Sequence, residues 1–228
     1  LVPRDTRDAL VVAAQERFAT QGFPGTSIRE LAAAVGIKES SVYHHFPSKQ
    51  AILDAVLGRA DDRLGDLSAR FGVPLDDADA AAPVYAEMEP ERLDEIAGGF
   101  LDAWLHDPDL LAALRILTLE QYRTPAAGRR LRALLVDEPP AFQTQLFTGA
   151  GGPGQRDRHR GAGLIDRGVF RPADPAAVAL AFWGPVVMVL TGAVGQEAEP
   201  EARRRLRTHL DHFRSTHLAT NTTRRNAP

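Results

Sequence analysis

The sequence predicts an all-α protein: an N-terminal three-helix unit containing a helix-turn-helix, followed by a longer helical C-terminal part. Three observations predict it. Apolar residues recur with helical period through most of the 228 residues, and no convincing run alternates with period two. Helix stop and start signals crowd residues 22–48, so the helices there must be short and joined by tight turns. Residues 176–196 carry no charged side chain yet hold Gly184-Pro185 midway, the pattern of a buried helix.

The first helix reads from Thr6 to Gln21, with Val11, Ala14 and Phe18 on one face and Gly22 placed to end it. Ser27-Ile28-Arg29-Glu30 is a capping box: the Ser27 hydroxyl accepts from the N3 amide, and Glu30 reaches back to the cap. The second helix carries Ile28, Leu31, Ala32 and Val35 at i, i+3, i+4 and i+7, and stops at Gly36. A short third helix runs from Glu39 to His45. Ser48 caps a fourth, Lys49 to about Arg70, with Leu53, Val56, Ala60 and Leu64 inward. Residues 71–83 read as a linker rich in Asp, Ala and Pro. Further helices are expected over 90–106, 109–123 and 126–137, with Pro139-Pro140 as a break after the last of them. The run Gly149-Ala150-Gly151-Gly152-Pro153-Gly154 lacks the Lys-Ser or Lys-Thr of a phosphate-cradling loop and reads as a linker. Asp174-Pro175 starts the charge-free helix well. The last helix, Glu201 to Leu218, sets Ala202, Leu206, Leu210 and Phe213 on one stripe.

Composition removes several classes of function. There is no cysteine, which excludes disulfide frameworks, thiolate zinc sites, iron–sulfur clusters and cysteine nucleophiles. The chain does not open with a charged n-region and apolar h-region, so a cytoplasmic protein is expected; Leu1-Val2-Pro3-Arg4 matches the upstream half of a thrombin site and is set aside. A net charge of −3 argues against a surface coated for nonspecific nucleic-acid binding. Residues 1–60 hold seven basic and six acidic side chains, however, against 20 and 24 in the remainder. The head is therefore the more basic part. The charge-free run approaches the length of a bilayer span, but its Ala and Gly content and its internal proline favour a soluble helix over a membrane.

Residues 27–46 have helix-turn-helix spacing: an eight-residue helix, a turn of about four residues containing Gly36, and a second helix. Leu31, Val35, Ile37, Val42 and Phe46 supply the contacts between the two. Ser40, Ser41, Tyr43 and His44 are left outward, and an element entering a major groove needs such short or polar donors. Lys49 sits where its charge adds to the positive end of the fourth helix, a place suited to a phosphate.

Thr26-Ser27-Ile28-Arg29-Glu30-Leu31-Ala32, Val35-Gly36-Ile37, Ser41-Val42-Tyr43-His44-His45-Phe46 and Ser48-Lys49 together resemble the DNA-binding head of the TetR family of transcriptional regulators. The match spans about residues 8–57. Gly163-Leu164-Ile165 to Gly168-Val169-Phe170-Arg171, then Asp174-Pro175, is similar to that family's approach to its dimerisation helices. The resemblance implies an all-α fold in which residues 1–57 bind DNA, helix four (49–70) links, and residues 71–228 form a helical ligand-binding and dimerisation domain. It implies a homodimeric repressor that leaves double-stranded operator DNA when a small-molecule effector binds. Carried over by residue, Arg29 touches a phosphate or base; Ser40, Ser41 and His44 face the major groove; Tyr43 and His45 bond the backbone; Lys49 anchors helix four to a phosphate. Lys38-Glu39 departs from the family's usual Ser or Thr cap. Lys38 cannot cap but reaches a phosphate, whereas Glu39 would repel one.

The expected protein is not an enzyme and holds no cofactor or metal. His209 and His212 lie three apart on a helix, a metal-holding spacing, but no third ligand is evident. Phe100, Trp104, Tyr122, Phe142 and Trp183 are the candidates to enclose an apolar effector, although large apolar residues at helical spacing are more often plain core. Residues 175–195 and 201–218 are expected to form a four-helix interface between two subunits. The alternative is a small all-α enzyme or carrier whose C-terminal domain binds a substrate. It lacks a nucleophile or metal-ligand cluster to support it.

Overall fold

The first helix, α1 (Thr6–Gly25), breaks its own backbone at Gly22, where φ is 78° and ψ 165°. That left-handed value favours glycine, and a Cβ there would also lie 2.9 Å from the Glu120 carboxylate. The expected stop at Gly22 is thus where the helix bends, and one further turn carries it to Gly25. These details come from a computed structural model, which describes residues 6–75, 77–149, 163–193 and 199–219. Residues 1–4, the glycine-rich run after Gly149 and the end of the charge-free stretch lie outside them.

Helices α2 (Ile28–Val35), α3 (Glu39–His45) and α4 (Lys49–Phe71) agree closely with the sequence-based reading. The Ser27 box forms in full: the Glu30 N–H donates to the Ser27 hydroxyl at 3.2 Å, and the Ser27 N–H donates to the Glu30 carboxylate at 2.7 Å. Bonds from Ser27 hold the Glu30 carboxyl below its ordinary pKa, the backbone bond foremost. Gly36 ends α2 in the left-handed conformation at φ 77°. Ser48 accepts from the Ala51 N–H and opens α4.

The rest is α5 (Ala78–Ala86), α6 (Pro90–His106), α7 (Pro108–Glu120), α8 (Pro125–Arg132), a π-helical turn (133–137), α9 (Glu138–Thr148), α10 (Pro175–Ala193) and α11 (Glu199–His217). The described residues form an all-α fold without a strand. Three local expectations are corrected. Residues 71–83 are not all linker, because Asp77 caps α5 by accepting from the Asp79 and Ala80 N–H groups, and Ala78, Ala81 and Ala82 are buried. Pro139-Pro140 does not break the chain. It occupies the first turn of α9, where a missing N–H has no helical partner to lose. The helix expected over 126–137 gives way to the π turn after Arg132.

The chain divides into two compact units. One comprises residues 1–67 and 102–134, the other 68–101 and 135–228. In the first, α1, α2, α3 and the start of α4 enclose Leu10, Phe18, Leu31, Val42, Phe46 and Ile52, and α7 adds Ala112 and Ile116 to the same core. Phe18 is fully buried, worth about 1.5–3 kcal/mol to this core relative to exposure. The helix-turn-helix therefore does not pack alone. It is completed by a helix from the middle of the sequence.

In the second unit, Ala81, Leu146, Phe147, Leu164, Phe170, Val178, Ala179 and Phe213 form the core. Asp174 caps α10 as expected, accepting from the Ala176 N–H at 2.8 Å. The stripe on α11 meets a different fate from the one expected. Ala202, Leu206, Leu210 and Phe213 are buried within the chain itself, where α10 and α11 pack together, so they do not wait for a second subunit. An apolar face is left open on α10: Ala177, Leu180, Ala181, Gly184 and Met188 are exposed at helical spacing. By length and composition α10 could cross a membrane; it is one weakly apolar helix, not a convincing span.

Candidate nucleic-acid interface

The α3 helix sorts its seven residues by periodicity. Val42 is fully buried and Phe46, just past the helix, is 2% exposed, so the opposite face must point outward. Glu39, Ser40, Tyr43 and His44 are exposed on that face; Ser41 and His45 flank it half-buried. Tyr43, at 52% exposure, is a large aromatic that the core does not claim. On α2, Arg29 is exposed, as is Lys38 in the turn. Lys38 occupies the N-cap of α3 and makes no side-chain cap bond, as its chemistry requires.

Lys49 behaves differently. Its ammonium donates to the Phe23 carbonyl and to the Thr26 carbonyl, both at 2.7 Å, and lies 4.3 Å from the centroid of the Phe23 ring. An ammonium has three donors. Two are spent on these carbonyls, and the ring faces the charge. Thr26, 1% exposed, donates its hydroxyl to the Gly22 carbonyl at 3.1 Å. The Phe23 N–H, freed from helical partners by the break at Gly22, donates to the buried Glu120 carboxylate at 3.0 Å. Sequence reasoning missed Glu120 and the buried role of Thr26. A carboxylate near the end of a predicted helix reads as a solvated charge, and only the left-handed Gly22 hinted that an amide nearby would need a partner.

Residues 10–56 match the family model described as bacterial regulatory proteins, tetR family. The N-terminal head belongs to the TetR family. Curated relatives agree over this part. The HTH-type transcriptional repressor KstR2 of Mycolicibacterium smegmatis is 38% identical over 76 residues, 33% of this chain and 36% of that protein. The HTH-type transcriptional regulator UidR of Escherichia coli K12 is 32% identical over 71 residues, 31% of this chain and 35% of its own length. The chain thus spans about a third of the curated relatives it matches. Solved TetR-type structures extend the fold likeness to nearly all of it. The SmeT–triclosan complex superposes with a TM-score of 0.64 at 19% identity, covering 98% of this chain and 99% of that one. The flavonoid-responsive regulator FrrA gives 0.54 at 22% identity, covering 93% and 97%. At those identities the likeness concerns the fold.

The residues suggested for an effector divide between the two units. In the second, Phe100 stacks on Phe71 with centroids 5.6 Å apart, Phe142 packs against the core, and Trp183 Nε1 donates to the Leu135 carbonyl in the π turn at 2.7 Å. In the first, Trp104 is 7% exposed, whereas Tyr122 is 91% exposed and encloses nothing. His209, the candidate metal ligand, directs Nε2 at the Phe182 carbonyl at 2.8 Å, which fixes that nitrogen as the protonated one. Burial holds its pKa below the ordinary 6.5, against the bond to Phe182 that raises it, and the His212 charge lowers it further.

Proposed function

We propose that the protein is a dimeric transcriptional repressor that reads a palindromic DNA operator through α3 and releases it when a small organic effector binds the C-terminal helices. One observation carries the DNA half: in a TetR-family head, Ser40, Tyr43 and His44 form an exposed polar face directly opposite the buried Val42. Short donors on a helix of this length suit base edges, and the phenol suits a phosphate. Ser40, Ser41 and His44 read bases, Tyr43 and His45 bond the backbone, and Arg29 and Lys38 supply charge to flanking phosphates. Glu39 lies on the same face and accepts from a cytosine amine or disfavours any other partner. Residues 1–57 serve as the DNA-binding part, α4 as the link and residues 71–228 as the effector and dimer part, with α7 packed into the core of the head. No catalytic role is assigned.

The effector half rests on likeness. SmeT is known as a triclosan complex and FrrA as flavonoid-responsive. By analogy Phe100, Phe142 and Trp183 are the residues offered to an apolar effector here, with Trp104 and Tyr122 further from that role by burial and exposure respectively. The dimer is inferred from the open stripe on α10, and a cytoplasmic location from DNA as partner. Enrichment of duplexes from a random pool by the full-length protein tests the reading. A two-fold symmetric consensus is expected; recovery of no preferred sequence at low salt would leave the α3 face without its function.

A further inference from the structure

We propose that Glu120 and Lys49 are positioning residues that grip Phe23 through its backbone N–H and carbonyl, so that α7 sets the pose of the turn presenting α2 and α3 to DNA. The proposal rests on the DNA reading above and adds the route by which the middle of the chain bears on it. Glu120 accepts from the Phe23 N–H at 3.0 Å, and Lys49 donates to the Phe23 carbonyl at 2.7 Å. Lys49 also holds the carbonyl of Thr26, the residue just before the Ser27 cap of α2. The backbone of one residue is thus fixed by a carboxylate from α7 and an ammonium from α4.

The placement of Glu120 is costly by every local rule, which is why a contact must account for it. It ends α7, where the helix dipole is negative and an acid is disfavoured. Its side chain is 4% exposed, and Oε2 is buried with no hydrogen-bond partner among the described residues. Arg123, 3.5 Å from Oε1 and 61% exposed, offsets part of the charge. The carboxylate provides an acceptor for an amide that the left-handed Gly22 has released from α1, and an unpaired buried amide is expensive. The opposite end of α7 is fastened to the same unit. Gln15 donates to the Pro108 carbonyl at 2.6 Å, and Arg63 donates to Asp109 at 3.2 Å. A helix held at both ends shifts as a body. Asp107 alone separates α7 from α6 along the chain.

The alternative for Lys49 is the phosphate contact that its place at the start of α4 suggests. The two roles separate by salt. A phosphate-binding lysine, once removed, lowers the slope of log affinity against log salt by about one unit. A lysine that shapes the turn weakens binding and leaves the slope intact.

The experiment uses full-length protein and the duplex that the wild type enriches from a random pool. Lys49→Met and Glu120→Ala are each expected to weaken binding about tenfold with an unchanged salt slope, while Glu120→Gln, whose amide oxygen still accepts, stays within about threefold of wild type. In the double variant the losses should not add, since both act on one residue's backbone. Amide exchange without DNA should quicken over residues 23–31 in both single variants and stay unchanged in α10 and α11. A flattened salt slope in Lys49→Met, additive losses, or unchanged exchange over 23–31 would overturn the proposal. If the wild type enriches no duplex, the DNA reading fails by itself, and the exchange measurement still decides whether the grip on Phe23 exists.

Discussion

At the scale of single residues, the α3 helix spends little of its length on the core. Val42 and Phe46 anchor it, and the exposed side chains are then free to be chosen by a partner. Two of them separate by role. Tyr43→Phe removes a hydroxyl assigned to a phosphate and should weaken binding to every duplex alike, by about 1 kcal/mol. His44→Ala removes a side chain assigned to a base and should cost about 1–3 kcal/mol on the preferred duplex while narrowing the gap to mismatched ones. Gel-shift titrations on the enriched duplex and on variants at each position compare the two, and identical specificity profiles would cancel the assignment of His44. These residues were legible in the sequence because a helical wheel anchored on Val42 and Phe46 leaves few outward positions. Lys49 was not legible in the same way. Nothing local tells whether a lysine at a helix start points to solvent or folds back on two carbonyls of a preceding turn.

At the scale of elements, the caps explain why the head was readable and the middle was not. Ser27 with Glu30, Ser48, Asp174 and Gly36 act within a few residues, so their effect is written in the sequence around them. Ser27→Ala should destabilise the protein by about 1 kcal/mol, seen as a lower urea midpoint with unchanged slope; a midpoint equal to wild type would mean that the box contributes nothing. The partners of α7 act across ninety residues or more, as Gln15 with Pro108 and Phe23 with Glu120 show. Ala112 and Ile116 are ordinary helix residues in sequence, and no periodicity reveals which core they join. In the second unit, His209 and His217 are each held below 6.5, by burial first and then, among other causes, by the charge of His212. An unfolded chain takes up those protons more readily. Their contribution is therefore complete above pH 6.5 and declines as pH falls through the folded values. Melting temperature should drop between about pH 7.5 and 5.5, and His209→Gln, which still donates to the Phe182 carbonyl, should lessen the drop. A drop of the same size in the variant would assign the acid sensitivity to other groups.

At the scale of the whole molecule, the sequence pointed correctly to α10 and α11 as a pair, while the side each presents to the outside needed the structure. An amphipathic stripe says that something covers it and is silent on whether the cover comes from the same chain. On α11 the cover is α10, so an arginine at Leu210 would bury an unpaired charge inside the subunit and disturb folding before it reported on assembly. The informative positions are the ones that the chain leaves bare. Leu180 is 62% exposed and Met188 63%, with Ala177, Ala181 and Gly184 on the same face, small enough to let a second helix approach closely. An uncharged helix face of this kind is unusual on a free monomer. A two-fold symmetric partner would cover it with its own copy and set the spacing of the two α3 helices to two half-sites. Leu180→Glu and Met188→Glu should each leave the monomer folded, since neither side chain is needed by the core. Each should also place facing carboxylates across the two-fold contact and shift the protein toward monomer. Sedimentation at micromolar concentration should find the wild type at about 50 kDa, twice its 24.8 kDa chain, and the variants near the single-chain mass with wild-type helicity. Loss of the dimer should then carry off affinity for the two-half-site duplex while leaving the weak affinity for a single half-site, because each head still presents its own α3.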